Sequence, residues 1–525
     1  MIEQAVLAPE GPGEPWTSDT LVELYTTDAA RVVGAERFRR DGADDVAELV
    51  LARAGVRGGQ PFLLGADGTY DLALNRFLRE LDGWGVRAAN SIAAYGRDVM
   101  LFCRFLHDSR GGKSIWECDG ADLRAFKRVR LRAPEGRRVS VATWRRSIAA
   151  LDKWAAWAVY EGLLKQAPFR YLDRTVWTPQ GMRQVRVNAE SEPSAGPAPV
   201  NFIPFEDYLL WRDVGLRGRL PDGRADPSWR GRHDERNALF ADLLVYTGMR
   251  LGEASSLLVG ELPGERYVGK GQAGPIHLGQ AVTKRNRPRT VFAPPRLVRA
   301  LQRYVRIERD EVVTRVAANG GYHSDEDAVL VGRAGSMSVR FADGGSSSPG
   351  KLDPSTRRRL MFVTADGQVA GPLAVWLGTD GQPVASSTWQ SLFHRANVRC
   401  ERFDLGLKVS PHTLRHSFAV HMLGLLLRQT VLALGHEPGL HYTSAQVKRL
   451  LVGNPLRKLQ LMLGHASEAT VYAYLDVLDE AQEIVTGALE QWDNQAAVLA
   501  MTADEDTGGD TDADVGGGAR AGVDA

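Results

Sequence analysis

Five side chains in three short stretches are of the types that chemistry at a phosphodiester requires. Tyr246–Glu253 reads YTGMRLGE, Ser410–Phe418 reads SPHTLRHSF and Met462–Val477 reads MLGHASEATVYAYLDV. Together they offer Arg250, Arg415, His412, His465 and Tyr474. A guanidinium presents a planar fork that fits two phosphate oxygens, as a lysine ammonium does not. A phenol has a pKa near 10 and is mostly protonated at neutral pH, so as a nucleophile it needs help. His412 can accept its proton, and His465 can hydrogen-bond a non-bridging oxygen. Negative charge grows on those oxygens in the transition state, and two arginines aimed at it would each contribute on the order of several kcal/mol where water is excluded. One ester replaces another, so no ATP is consumed. Guanidinium groups can carry the electrostatic work of a divalent ion, so neither a cofactor nor a metal is expected.

The elements that must position these groups are legible locally. In SPHTLRHSF, Ser410 can cap a helix and Pro411 fits its first position. His412 and Arg415 then share a face at i, i+3, while His416 is expected to point elsewhere as a packing group. Arg236–Thr247, RNALFADLLVYT, is an apolar helix stopped by Gly248. Arg250 and Glu253 follow on one face, where Glu253 could orient Arg250 or His412; alone, the pair would read as a surface ion pair. Strand-like pieces at Pro275–Leu278, Gln280–Thr283 and Arg289–Phe292 enclose Lys284 at a turn. Leu459, Met462 and Leu463 supply an apolar face to dock the helix before His465. For a single tyrosine, a half-buried helical packing role would be the plainer reading of Tyr474; Tyr472 is the other nucleophile candidate.

In this order, TGMRLGE, HTLRHSF and a Leu-Gly-His with tyrosine nine positions on, the stretches resemble the tyrosine recombinases of the phage-integrase family. The resemblance implies a mainly α fold with a small antiparallel β-sheet, a helical SAM-like core-binding domain preceding a tyrosine-recombinase catalytic domain. It implies the catalytic set Arg250, Glu253, Lys284, His412, Arg415, His465 and Tyr474, the last as nucleophile. Lys284 would be general acid to the leaving 5′ oxygen, with Lys270 the competitor. The expected product is a 3′-phosphotyrosyl link with a free 5′-hydroxyl. Arg415 and His465 lie 50 positions apart, longer than the family usually has, and a second Leu-Gly-His, Leu434–His436, falls in the excess. His436 is set aside because the position nine further on is Ala445. The family also passes a C-terminal helix to the next protomer of a ring, so Glu483–Leu499, apolar at helical spacing, is expected to link a homotetramer on DNA. An accessory directionality protein is left open.

At 525 residues, with 44% apolar and 25% charged side chains, the chain is long enough for two or three globular domains. The three cysteines, Cys103, Cys118 and Cys400, are scattered and fit neither a disulfide framework nor a zinc site, which points to a reducing cytoplasm, here near the nucleoid. No secretory signal is read at the N-terminus. The most apolar run, Phe418–Leu434, is broken by His421, Arg428 and Gln429, so no membrane partner is expected. The net charge of +1 divides into −6 on the tail from Met501 and +7 on the rest, a mildly basic body suited to double-stranded DNA.

The expected domains are an N-terminal extension over 1–70, read as a helical appendage or a DNA-contacting arm, and a helical DNA-binding domain over 71–174. A Pro-rich linker over 175–201 leads to a catalytic domain over 202–500 with insertions near 317–366 and 425–455, the first loop-like and mobile, and an acidic disordered tail over 501–525. Within the helical domain, Arg124, Lys127, Arg128, Arg130, Arg137, Arg138, Arg145 and Arg146 are candidate phosphate contacts, although a basic run is as often a solvated face. The leading function is a site-specific recombinase, the integrase or transposase of a mobile element. The alternatives are a type IB topoisomerase-like nicking-closing enzyme and a non-catalytic DNA-binding accessory protein on the same scaffold.

Overall fold

A computed structural model describes residues 22–27, 56, 60–65, 68–134, 138–178, 181–193, 200–322, 328–334, 338–342, 344–434, 454–465 and 470–474. The chain divides into two compact units, Met1–Gly196 and Pro197–Ala525. His436, Arg137, the expected exchange helix at 483–499 and the acidic tail lie outside the described residues. Helices dominate, with small antiparallel sheets beside them, and among the described residues no helix is long and apolar enough to cross a membrane.

Among its described residues the first unit holds four principal helices, α1 (Leu72–Glu80), α2 (Ala89–Ser109), α3 (Gly120–Arg132) and α4 (Val141–Tyr160). Three of the four starts follow capping chemistry, and α2 begins at Ala88 without a side-chain cap: Asp71 accepts from the Leu74 N–H, Ser140 from that of Thr143, and Asp119 with Asp122 closes a capping box. Aromatic rings fill the core, with Phe126 centred 5.2 Å from both Phe102 and Phe105 and 5.8 Å from Trp144. The segment expected as a helical appendage contributes strands instead. β1 (Val22–Thr26) pairs antiparallel with β2 (Pro61–Gly65), and the buried Asn75 amide holds β2 by exchanging hydrogen bonds with both polar groups of the Leu63 backbone. Much of the expected linker is likewise a ribbon, β3 (Tyr171–Thr178) against β4 (Gly181–Asn188), because alternating β-branched and polar residues outweigh the nearby prolines.

The second unit is built around α6 (Asp234–Thr247), buried on nearly every side, with α5 (Phe205–Gly215), α11 (Ser386–Arg402) and α12 (Pro411–Leu434) around it. Phe240 of α6 stacks on Trp389 of α11 at 3.6 Å between ring centres. α6 ends at Gly248 in the left-handed region, and the short α7 (Leu251–Ser255) follows. β5 (Gly274–Leu278) pairs antiparallel with β6 (Arg289–Ala293), so Leu278 faces Arg289. The expected strand at 280–283 is turn, leading into a 3-10 segment at Lys284–Asn286. Helices α8 (Pro295–Tyr304) and α9 (Asp310–Ala318) are joined through a π segment.

The stretch expected to be a mobile loop at 317–366 is largely ordered. It supplies β7 (Val329–Ala334), β8 (Val339–Phe341), β9 (Ser346–Ser347), α10 (Pro354–Arg359) and β10 (Leu360–Val363). With β11 (Val369–Pro372) these strands form a sheet in the order β11-β10-β7-β8-β9, with β7 and β10 parallel. Its core is Leu258, Val331, Val339, Leu352, Leu360 and Leu373. Buried Arg357 fixes it to the rest of the unit, meeting Glu261 bidentately at 2.8 and 2.9 Å and donating to the carbonyls of Leu352, Ser256 and Pro349. The last described elements are α13 (Pro455–Leu463) and helical residues 470–474.

Candidate functional site

Four pieces of the second unit meet at one place: the α6–α7 junction, the start of α12, the end of α13 and helical residues 470–474. At the junction, Gly248 adopts φ +63°, and a Cβ there would lie 2.3 Å from the Phe418 ring, so only glycine fits. Arg250 is the N-cap of α7, with Glu253 at the third position accepting its backbone N–H at 2.7 Å and its Nη1 at 2.9 Å. Glu253 is buried, whereas the Arg250 side chain stays 29% exposed and can meet a ligand. Burial alone would raise the Glu253 pKa. The guanidinium of Arg289, then the Arg250 backbone and charge, hold it below the ordinary value.

On α12, Ser410 caps through the Thr413 N–H at 3.1 Å. Arg415, 2% exposed, reaches across the unit. Its Nη1 donates to the Gly248 carbonyl and its Nη2 to that of Leu463 at 2.5 Å. Burial, then the nearby Arg250 and Arg289, push its pKa down to about 9, so it remains charged at neutral pH. An anion in this region would relieve that repulsion. Gly464 closes α13 in the left-handed region and turns the chain so that His465 follows at the site. The Nδ1 of His465 is buried and has no hydrogen-bond partner among the described residues.

Tyr474 packs with Phe418, Leu423, Leu459, Leu463 and Val471, and its hydroxyl lies 3.0 Å from Nδ1 of His416. Burial raises the phenol's pKa, and the charges of Arg415 and Arg250 oppose that rise. Tyr472, two positions away, faces solvent. The ring of His465 lies 6.2 Å from that of Tyr474, nearly parallel. The expectation that His416 points away is corrected. Four residues after His412, it shares that residue's face, the two rings 4.2 Å apart, and it is His416 that meets the phenol. All three histidines are held neutral. Burial, then Arg415, Arg250 and Lys284, lowers the pKa of His412. Burial and neighbouring positive groups push His416 and His465 down to about 4.

Lys284 is exposed in the β5–β6 connection and close enough to influence His412; Lys270 lies before β5, outside that connection. The residue that sequence reasoning missed is Arg289, whose fork meets Glu253 at 2.8 and 2.6 Å. The available signal was an arginine opening a strand directly after a turn, too common a feature to single out. Among the described residues no group of three or more His, Cys, Asp or Glu side chains could hold a metal ion. The arrangement can bind an anion between two guanidiniums, beside neutral histidines and a phenol.

In the first unit, Arg124, Arg128, Arg138 and Arg145 are exposed, but three other candidates are committed elsewhere. Arg130 is buried against the Phe126 ring, and Arg146 pairs with the buried Asp98 at 2.8 Å. Lys127 is paired with Glu192 at 2.7 Å and Glu190 at 3.4 Å. Helical periodicity accounts for this: a run of bases on an amphipathic helix places some of them inward.

Residues 74–162 match the model described as phage integrase, N-terminal SAM-like domain, and residues 228–438 the model described as phage integrase family. The two matches together span more than half of the chain, and the second stops short of His465 and Tyr474. A tyrosine recombinase XerC from Mesorhizobium japonicum is 24% identical over 427 residues, covering 80% of this chain and 95% of the relative. A XerC from Roseiflexus castenholzii is 24% identical over 407 residues, covering 77% and 88%. The crystal structure of XerH site-specific recombinase bound to palindromic difH substrate aligns at 15% identity with a TM-score of 0.42, covering 82% of this chain and 86% of that one.

Proposed function

We infer the reaction from the premise that this chain belongs to the phage integrase family of tyrosine recombinases. It is a site-specific recombinase, an enzyme that breaks and rejoins DNA. On our reading Tyr474 is the nucleophile, and the observation that carries it is the hydroxyl held 3.0 Å from His416 under the influence of both Arg250 and Arg415. The scissile phosphate occupies the space before the exposed Arg250 guanidinium, within reach of Arg415. Its negative charge offsets the arginine charges that depress the histidines, so His412 and His416 become better bases as the substrate arrives. The phenol gives its proton to one of them and attacks phosphorus. The P–O5′ bond breaks, and Lys284 supplies the proton to the leaving 5′ oxygen. A 3′-phosphotyrosyl link and a free 5′-hydroxyl remain, and attack by a 5′-hydroxyl reverses the step. His465 donates to a non-bridging oxygen throughout.

We further read the protein as the integrase or transposase of a mobile element, working in the cytoplasm at the nucleoid. It acts as a homotetramer joined through the C-terminal helix expected at 483–499. Nicked duplexes tiled across the DNA flanking its own gene test the whole reading. The expected result is a detergent-stable protein–DNA adduct that vanishes in Tyr474→Phe, and strand exchange between two duplexes. An adduct that survives Tyr474→Phe would overturn the nucleophile assignment. Adducts without exchange favour a topoisomerase-like enzyme, and binding without any adduct favours an accessory protein.

A further inference from the structure

We propose that Arg289 is a positioning residue that aims the phosphate-binding arginine and the site histidine together. Its guanidinium spends its donors on two different elements. Nη1 and Nη2 donate to Oε1 and Oε2 of Glu253 at 2.8 and 2.6 Å, and Nε donates to the Met462 carbonyl at 3.0 Å. Glu253 in turn holds both the backbone and Nη1 of Arg250, so the direction of Arg250 depends on where Arg289 fixes that carboxylate. Met462 and Leu463 lie in the last turn of α13, where backbone carbonyls lack helical partners. Arg289 takes the first and Arg415 the second, docking the end of the helix between two cations. Gly464 passes against the Arg289 stem, where an added Cβ would lie 3.0 Å from Cδ, and His465 follows directly. Five residues upstream, Lys284 occupies the turn that leads into β6.

Stability alone does not account for this choice of residue. The Arg289–Glu253 pair is buried, at 6% and 1% side-chain exposure, and buried pairs rarely stabilise more than apolar residues of the same volume. What arginine adds is a rigid, three-point connection that lysine cannot copy. The pair converts the arrival of three chain segments into one fixed geometry, and misplacement by about 1 Å can slow chemistry on the order of a hundredfold.

The proposal rests on the reading of Arg250 as a phosphate ligand, and its test separates the two. Full-length wild type, Arg289→Lys and Tyr474→Phe are given nicked duplexes with either an ordinary scissile phosphodiester or a methylphosphonate, which lacks the negative charge. Arg289→Lys should capture the phosphodiester about a hundredfold more slowly and the methylphosphonate less than about tenfold more slowly, because an uncharged centre depends less on how Arg250 is aimed. Its affinity for duplex DNA should change by less than about threefold. A general loss of folded protein would slow both substrates by the same factor, and that result, like wild-type rates, would overturn the proposal. If Arg289→Lys does not fold, judged by its thermal transition, the paired variant Arg289→Gln with Glu253→Gln removes both charges and is read by the same two rates. Adduct formation by Tyr474→Phe would remove the underlying reading. Inactive Tyr474→Phe beside fully active Arg289→Lys would remove the positioning role alone.

Discussion

Gly248→Ala should damage stability and chemistry together, and the structure gives the size of each effect. Gly248 ends α6 at φ +63°, its N–H donates to the Leu244 carbonyl at 3.0 Å, and its own carbonyl accepts Nη1 of Arg415. An alanine in the left-handed region costs about 1 kcal/mol. The added methyl would lie 2.3 Å from Cδ1 of Phe418, so the ring must move, and forced repacking of this kind costs about 1–3 kcal/mol. The sum is a loss of about 2–4 kcal/mol, to be read as the shift of the urea midpoint of the full chain. Phe418 also belongs to the cluster that holds Leu463 and Tyr474, so its movement disturbs both the seat of the phenol and the anchor of Arg415. If only about 1.4 kcal/mol of that disturbance reaches the transition state, adduct formation on a nicked duplex slows about tenfold. Gly252→Ala is the control: its Cβ meets nothing within 4 Å, and it should leave stability unchanged or raise it by up to about 1 kcal/mol. A Gly248→Ala protein with wild-type stability and an unaltered adduct rate would refute the link between the end of α6 and the aim of Arg415.

His416 and His465 titrate near 4 in the folded chain and near 6.5 when unfolded, so the unfolded state binds more protons in that window and stability falls as pH drops from about 6.5 towards 4. After discounting for their residual contact with solvent, each should cost about 1 kcal/mol by pH 5, seen as a falling melting temperature; a flat profile from pH 7 to 5 would contradict the buried, neutral histidines. Arg357→Ala strips Glu261 of its buried partner and should destabilise the second unit by about 3–5 kcal/mol in urea, whereas a loss under 1 kcal/mol would mean that the sheet of β7 to β11 is not anchored there.

What could be read along the chain was whatever the backbone settles within a turn or two. Ser410 and Pro411 announce the start of α12, and helical spacing then puts His412 and Arg415 on one face without any knowledge of the rest. The identity of the phenol's partner was not of that kind. His416 and Tyr474 are 58 positions apart, and their contact depends on how the 470–474 helical turn seats against Phe418 and Leu463. The same holds for Arg289, whose meaning depends on Glu253 36 positions before it and Met462 173 after it. The region 317–366 misled for a related reason. Its Gly, Ser and Asp content is that of loops, while its order comes from Arg357, a charge that composition assigns to the surface and that only the fold shows to be fully paired inside. In the last two cases a guanidinium spans elements that local pattern treats as separate. Arginine has five donors in a fixed fork and a long apolar stem, so it can satisfy a carboxylate and orphaned carbonyls at once. Arg289 and Arg357 do so between segments distant in sequence, and Arg415 joins two such segments through their backbone carbonyls. This explains how a site assembled from four pieces of chain can be rigid with little regular structure of its own, and why substitutions at its arginines should shift geometry before they change charge.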